Sequence, residues 1–379
     1  MYLRLPLFAA VISCVLAAQP AVSPATPAEK KIGVAQIAIA KNPGFADAHA
    51  DLALAMAMRA RETSDNNWYS EGLKAVDRAL AIDPASFAAL RARTWILLGM
   101  HEFAKALTVA TALNRRSADD VMVYGFLSDA NTELGNYDEA EKATQWMLDL
   151  RPGNIPALTR AAHLRELFGD PDGAIELMQM AYQQLAASET ENRAWILVQM
   201  SHLCLSKGKI ADAERLANQA LATFPDYHYA LGQLAKVRRA QKRYTEAAAL
   251  ERKRFAAAPH PENQFMLAQA LDLAGEKDEA EKAFTAFERG ARAEMNRADN
   301  SNHELVFFYA DHARKPQEAL AVARLELERR QDVHTLEAYA WALHVSGNDA
   351  EARKQMDRAL ASGIHDPEFD RHSAEIAPR

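Results

Sequence analysis

The chain has 379 residues, of which 49% are hydrophobic and 25% charged, and its formal net charge at pH 7 is −7. This length and composition allow an ample core in one long domain or in two ordinary ones. The negative charge argues against a nucleic-acid binder, which usually carries a basic face. Two cysteines, Cys14 and Cys204, cannot form a disulfide framework.

The first residues have the layout of an export signal. An uncharged, mainly apolar run of 14 residues covers 5–18 and is too short for a membrane-spanning helix of about 20 residues. A Pro/Ala-rich linker follows over 19–29, and we expect cleavage of a secretory signal peptide near Ala18. The alternative is a lipoprotein, because residues 11–14 (VISC) resemble a lipobox that ends in a lipidated Cys14. The apolar residues after that cysteine favour simple cleavage.

Either route predicts an exported protein, periplasmic or secreted, that contacts the membrane only if Cys14 is lipidated. Cys204 is then the only thiol of the mature chain. Its apolar neighbours Met200, Leu203 and Leu205 predict a buried, unreactive cysteine in a helix interior.

A set of small residues recurs through the rest of the chain: Gly72, Ala106, Ala140, Ala174, Ala213, Ala247, Ala280, Ala319 and Ala352. Their successive separations are 34, 34, 34, 39, 34, 33, 39 and 33 residues. A glycine stands five residues before many of them, as Gly135 and Gly347 do, and apolar residues recur at helical spacing on both sides. Each unit is therefore predicted to be two helices joined by a Gly-containing turn.

The small residues predict how these units pack. A small side chain at a helix crossing lets two helices approach to about 8 Å. One helix pair cannot bury its apolar face alone, so successive pairs must stack on one another.

A period of 34 with this order of large apolar residues, glycine, alanine and proline resembles the tetratricopeptide repeat. Nine units and an incomplete first helix cover nearly all of residues 30–370. The resemblance implies an all-α, right-handed superhelical solenoid of helix-turn-helix repeats. Three units depart from the pattern, because His101, Lys242 and Arg314 stand where the turn usually has glycine.

Insertions interrupt the period at three places: residues 61–70 in the first unit, 188–193 before the fifth and 289–302 before the eighth. Insertions between units can tilt one part of a solenoid against the next. We therefore expect one continuous solenoid over residues 30–379, divided into blocks at about 30–188, 189–297 and 298–379.

The resemblance also implies that the first helices of successive units line a concave groove, which in this family often holds a peptide. Carried over by register, the candidate lining is Arg91, Trp95, Asp129, His163, Trp195, His202, Tyr229, Lys236, Arg239, Phe265, Gln269, Glu304, Phe308, Asp311, His334, Glu337, Trp341 and His344. Rings supply rigid contact area and charges fix register, so this mixture suits peptide recognition. Any one of these residues could instead simply solvate the concave face, but for the groove as a whole we favour binding.

Two stripes near the C-terminus each combine acids with rings: Glu304, Phe308 and Asp311 in the eighth unit, with Glu337, Trp341 and His344 in the ninth. Facing one another, they could clamp a basic or amphipathic segment. The alternative is that Trp341 and Phe308 pack on the last helix around Phe369 as a terminal cap.

Basic residues cluster in the sixth unit: Lys236, Arg238, Arg239, Lys242, Arg243, Arg252, Lys253 and Arg254. Arg238 and Arg254 fall where the register expects buried apolar side chains. The cluster is either a solvated face whose long stems cover apolar surface, or a patch for an acidic partner or anionic lipid. The carboxylate-clamp subclass of the family is not expected, because the basic groove positions Arg91, Lys236 and Arg239 are far apart.

Six of the 12 histidines follow residue 300: His303, His312, His334, His344, His365 and His372. A metal-binding protein is therefore an alternative, but these spacings do not bring histidines together on one helix face. No motif of a hydrolase, phosphate loop or dinucleotide site occurs. We expect no enzyme activity, cofactor or metal, and predict a protein-interaction scaffold of the cell envelope or periplasm. A lipid-anchored envelope assembly subunit is the second alternative.

Overall fold

The computed structural model describes residues 25–377, and the predicted signal peptide and Cys14 lie outside this range. Within it the chain is helical with no strand, and no helix there has the length and apolar character to cross a membrane. The first helix begins at Pro27, after an N-terminal cap formed by Thr26 and Glu29. Residues 27–29, predicted as linker, are therefore helical.

Between residues 25 and 377 the chain forms twenty α-helices. They are α1 (Pro27–Lys41), α2 (Ala46–Thr63), α3 (Asn67–Ile82), α4 (Phe87–Gly99), α5 (Phe103–Arg116), α6 (Val121–Glu133), α7 (Tyr137–Leu150), α8 (Ile155–Leu167), α9 (Pro171–Gln184), α10 (Thr190–Ser206), α11 (Ile210–Thr223), α12 (His228–Ala240), α13 (Tyr244–Ala257), α14 (Pro261–Leu273), α15 (Lys277–Glu294), α16 (Asn302–Phe307), α17 (Pro316–Leu327), α18 (Val333–Val345), α19 (Asp349–Leu360) and α20 (Pro367–Ile376). A π-helical segment, Phe308–His312, continues α16. Helices α2 to α19 are nine pairs, which confirms the nine predicted units and the single helix before them.

The small residues lie where the sequence predicts, on the second helix of each pair. Ala106, Ala140 and Ala213 have no exposed surface. At Gly72 even a methyl group would collide, since a Cβ there would lie 2.8 Å from the side chain of Ile96. Cys204 is also buried, as predicted.

Replacing Ala213 with leucine is expected to overpack this helix crossing and to lower the free energy of unfolding by roughly 1–3 kcal/mol. The matched control is Ala211→Leu, the same change at an exposed position of the same helix. Denaturant unfolding of the two variants checks the register. Equal stability of both would contradict the assignment of Ala213 to the crossing.

Three turns without glycine have the same backbone as those with it. The φ angles of His101, Lys242 and Arg314 are 58°, 59° and 54°, and that of Gly135 is 75°. A residue with a side chain pays about 1–2 kcal/mol for this left-handed conformation. The flanking helices thus impose the turn geometry whichever residue occupies the position.

The insertions lengthen helices more than they lengthen loops. Helices α2 and α15 have 18 residues each and α10 has 17, against 13 in α4. The turn of the first unit is accordingly short, although the sequence carries extra residues there. One buried cluster spans Leu158 to Val237 and another Ala248 to Ile376. The core therefore continues across both predicted block boundaries.

The superhelix is wound so tightly that successive turns touch. At the first inter-turn contact, the Arg61 guanidinium at the end of α2 pairs with Glu191 and donates to Asn192 Oδ1 at 2.6 Å, both on α10. The Arg61 carbonyl accepts a hydrogen bond of 3.0 Å from His228 Nε2. The first unit is thereby joined to the fifth and sixth.

A second inter-turn contact joins the third and fourth units to the eighth and ninth. The Gln331 N–H donates to the Glu133 carbonyl at 3.0 Å, and the Val333 N–H donates to Tyr137 Oη at 2.9 Å. An apolar cluster lies behind these bonds: Ala140, Leu164, Leu167, Val333, Leu336, Ala359, Ile364 and Phe369. Because adjacent turns are in contact, the concave face is narrowed to a half-open hollow.

Candidate functional site

A hollow of about 560 Å³ lies on the concave face of the second to fifth units. Four predicted groove residues line it: Trp95 on α4, Asp129 on α6, His163 on α8 and Trp195 on α10. Each stands on the first helix of its unit, so the register places these four residues correctly in the concave face. Their roles in binding remain a prediction.

The apolar wall of this hollow is aromatic. Trp95 packs edge to face on Phe126, with ring centroids 6.3 Å apart. Both tryptophans are partly exposed, while Phe126 is buried behind Trp95. The hollow therefore offers rigid ring surface with little conformational entropy to lose on binding.

One charged pair of the hollow is already satisfied internally. Arg160 Nε donates to Asp129 Oδ1 at 2.7 Å and to the Gly125 carbonyl at 3.1 Å. The absence of a side chain at Gly125 makes room, since a Cβ there would lie 3.0 Å from Arg160 Cζ. The charge of the Asp129 carboxylate is thus balanced by the Arg160 guanidinium, and the two side chains line the hollow as an ion pair.

A second polar group consists of one carboxylate between two histidines. His202 Nε2 lies 2.7 Å from Glu166 Oε1, and His163 Nδ1 lies 3.7 Å from Glu166 Oε2. Burial alone would raise the pKa of Glu166, but the two imidazoles hold it well below its usual value. Burial alone would lower the pKa of His163, but the adjacent Glu166 carboxylate raises it. Glu166 is therefore ionised and favours a protonated His163.

His163 also lines two smaller cavities next to the hollow, of about 340 Å³ and 240 Å³. The larger of these reaches Arg330 at the second inter-turn contact and the exposed side chain of His101. The other reaches His334, which is also exposed. The neighbouring cavities thus extend to the inner side of the second inter-turn contact.

Other candidates lie farther along the concave face. Lys236 is exposed, and partial burial and nearby Glu262 raise the pKa of Glu304 to about 7. Glu262 is also a charged neighbour of Tyr229. Arg239 and Gln269 are partly buried on α12 and α14, and Arg91 pairs with Asp120 at 3.3 Å. The candidates therefore divide into a group around the hollow and a group in the sixth to eighth units.

The structure contradicts the open-groove placement of four candidates: Phe265, Phe308, Glu337 and Trp341 are all buried. Phe265 and Phe308 pack on Phe287, with centroids 4.9 Å and 5.6 Å away. Their rings belong to the core between units, because the bulky side chains fill the space between the paired helices.

The two C-terminal stripes are also joined to each other and to the last helix. Trp341 stacks on His372 of α20 at 4.0 Å, and its Nε1–H donates to Asp311 at 2.9 Å. Glu337 is hydrogen bonded to His372. Burial raises the pKa of Glu337 to about 8. These contacts match the terminal-cap alternative, with His372 in place of Phe369 as the main partner.

The remaining C-terminal histidines are dispersed. His344 pairs with Asp349 at 2.8 Å, His334 lies edge-on to Phe369 and His312 stacks on Phe284. Among residues 25–377 no three His, Cys, Asp or Glu side chains are placed to hold a metal ion.

Half of the basic cluster of the sixth unit is compensated, because ion pairs form at Arg238, Arg243, Arg252 and Arg254. Arg238 and Arg254 are buried, as their register positions predict. Arg238 pairs with Glu214 at 2.7 Å, and Arg254 pairs with Glu262 at 3.0 Å. Long stems covering apolar surface, with paired charges at their ends, account for this half of the cluster.

Among the residues of the hollow that sequence reasoning missed are Arg61, Phe126 and Arg160. Arg160 could have been found, because it stands three residues before His163 and so shares its helix face. Arg61 could not, because it lies within the first insertion and reaches the hollow only through the inter-turn contact.

Comparison with solved structures supports the repeat assignment. A chain of the APC/C hetero-tetramer Cut9-Hcn1 aligns over 93% of this chain with a TM-score of 0.52 and 14% identity, and this chain spans 60% of its length. Human IFIT1, in its dimer with PPP-AAAA, aligns over 88% of this chain and 95% of its own, with a TM-score of 0.53 and 12% identity. No protein-family model matches the sequence, and no curated protein matches it either. Identities this low show the fold alone, a tetratricopeptide-type solenoid.

Proposed function

We propose that this tetratricopeptide-type solenoid is a non-enzymatic scaffold that holds a peptide or protein segment in the hollow of its second to fifth units. The hollow combines two tryptophans with charged side chains, and that combination carries the proposal. Rings in a desolvated recess dominate the energetics of many protein interfaces, while nearby charges set orientation. The apolar run at residues 5–18 supports a place in the cell envelope or periplasm.

The size of the hollow limits what can bind. Arg61, which makes the first inter-turn contact with α10, lines the hollow, and the second contact borders the smaller cavity that adjoins it at Arg160 and His163. A volume of about 560 Å³ lies within the usual range of binding pockets, roughly 300–1,000 Å³. This volume accommodates a short segment or a chain end.

Replacing Trp95 and Trp195 together with alanine is expected to weaken partner binding by about 30-fold or more, the equivalent of about 2 kcal/mol. The matched control is Trp146→Ala, because Trp146 is 47% exposed and does not line the hollow. Proteins captured from envelope extract by the wild type would be identified first. Their affinities for the three purified forms would then be measured by calorimetry.

Melting curves recorded in parallel separate loss of binding from loss of fold. If the double variant stays folded and binds every captured partner as the wild type does, the hollow is not the binding site. If a partner binds the double variant but not Trp146→Ala, its binding site is on the convex face instead.

A further inference from the structure

Helix α1 carries apolar side chains on two opposite faces, one packed against the protein and one exposed to solvent. Ile32, Ala35 and Ile39 pack against the first unit. Val34 and Ile37 lie about 200° around the helix from these packed residues, and their side chains are 69% and 59% exposed. No other large hydrophobic side chains between residues 25 and 377 are as exposed as these two. An apolar stripe on the solvent side of an already packed helix requires its own explanation.

The same exposed face is basic. Lys30 and Lys41 lie four residues on either side of Val34 and Ile37, and neither makes an ion pair within residues 25–377. The acid of the first turn, Glu29, pairs with Arg59 at 2.8 Å. This face therefore carries uncompensated positive charge on a protein of net charge −7.

The position of α1 in the chain adds a third observation. Only residues 19–26 separate it from the apolar run at 5–18. Eight extended residues span at most about 28 Å. In the lipoprotein alternative, with a lipid on Cys14, so short a connection would keep α1 within reach of the membrane surface.

We propose that the exposed face of α1 is a membrane-contact surface for anionic lipid, with Val34 and Ile37 at the acyl boundary and Lys30 and Lys41 among the headgroup phosphates. Apolar side chains flanked by lysines on one helix face are the features that bind a helix to an anionic interface. Each lysine near such a surface strengthens binding about fivefold, the equivalent of about 1 kcal/mol. This surface lies on α1 and is independent of the hollow.

The test is sedimentation of the mature chain, residues 19–379, with vesicles, either of phosphatidylcholine alone or of equal parts phosphatidylcholine and phosphatidylglycerol. We expect Lys30→Glu with Lys41→Glu to lower partition into the anionic vesicles about tenfold or more. Val34→Asp with Ile37→Asp should lower partition into both kinds. Met180→Asp, at an exposed apolar position of α9, is the control and should behave as the wild type.

Equal partition of the wild type and both double variants would overturn the proposal. So would an equal loss in Met180→Asp, which would mean that any added acid repels the vesicles. The proposal also fails if the Val34 and Ile37 variant binds vesicles as the wild type does but sediments more slowly without them, because the exposed face of α1 would then join two copies of the chain. If that variant does not fold, the lysine variant decides, because its changed side chains are exposed.

Discussion

Replacing Gly169 with alanine is expected to separate the two turns of the superhelix. Gly169 has a φ of 77°, and a Cβ there would lie 2.3 Å from the backbone oxygen of Gly363 on the next turn. We expect the free energy of unfolding to fall by about 2–5 kcal/mol, from backbone strain and overpacking together. Denaturant unfolding measures this loss, and small-angle scattering should show a larger radius of gyration as the turns part.

Gly275→Ala is the matched control. Its φ is 83°, but no atom lies within 4 Å of the position where a Cβ would stand. The control should lose only the strain energy of about 1–2 kcal/mol and keep the radius of the wild type. Equal losses and equal radii in the two variants would show that the second inter-turn contact does not hold the turns together in solution.

Replacing Trp341 with alanine is expected to cost roughly 3–5 kcal/mol of stability. The indole is buried, stacks on His372 of α20 and donates to Asp311, so truncation removes core volume and leaves a carboxylate without its donor. Thermal or denaturant unfolding gives the value. Trp146→Ala, on the exposed convex face, should change stability little.

A different outcome would support the predicted clamp for a basic or amphipathic segment. If Trp341→Ala unfolds as the wild type does but loses a partner, the indole is a binding residue and its contact with α20 opens in solution. A loss of stability without a specific binding defect supports the cap.

The sequence predicts the repeat register well, because that register follows from local physics. A small residue at a helix crossing and a left-handed turn residue recur at nearly fixed spacing, and their burial or backbone angle is as expected. Even His101, Lys242 and Arg314 adopt the turn conformation, since the helices on either side dictate it. The positions of Trp95 and Trp195 on the concave face follow from the same register.

The failures have a different origin. Trp341 and Glu337 stand on the predicted face of α18, but α20 covers that face through His372. Register identifies the side of a helix, but it does not identify what packs against that side from elsewhere in the chain. Arg61 illustrates the same limit, because its partners on α10 are brought to it by the curvature of the whole superhelix.

The inter-turn contacts have a consequence for how the chain folds. In an ordinary repeat array each unit contacts only its neighbours, so stability is a sum of local terms and the ends can fray independently. Here Arg61 and Glu191 are 130 residues apart, and Val333 and Tyr137 are 196 apart. Contacts between residues so far apart in sequence couple the first unit to the middle of the chain, and the middle to the last units. Unfolding should therefore be more cooperative than in an open array of equal length, and folding slower, because distant segments must meet before those contacts form.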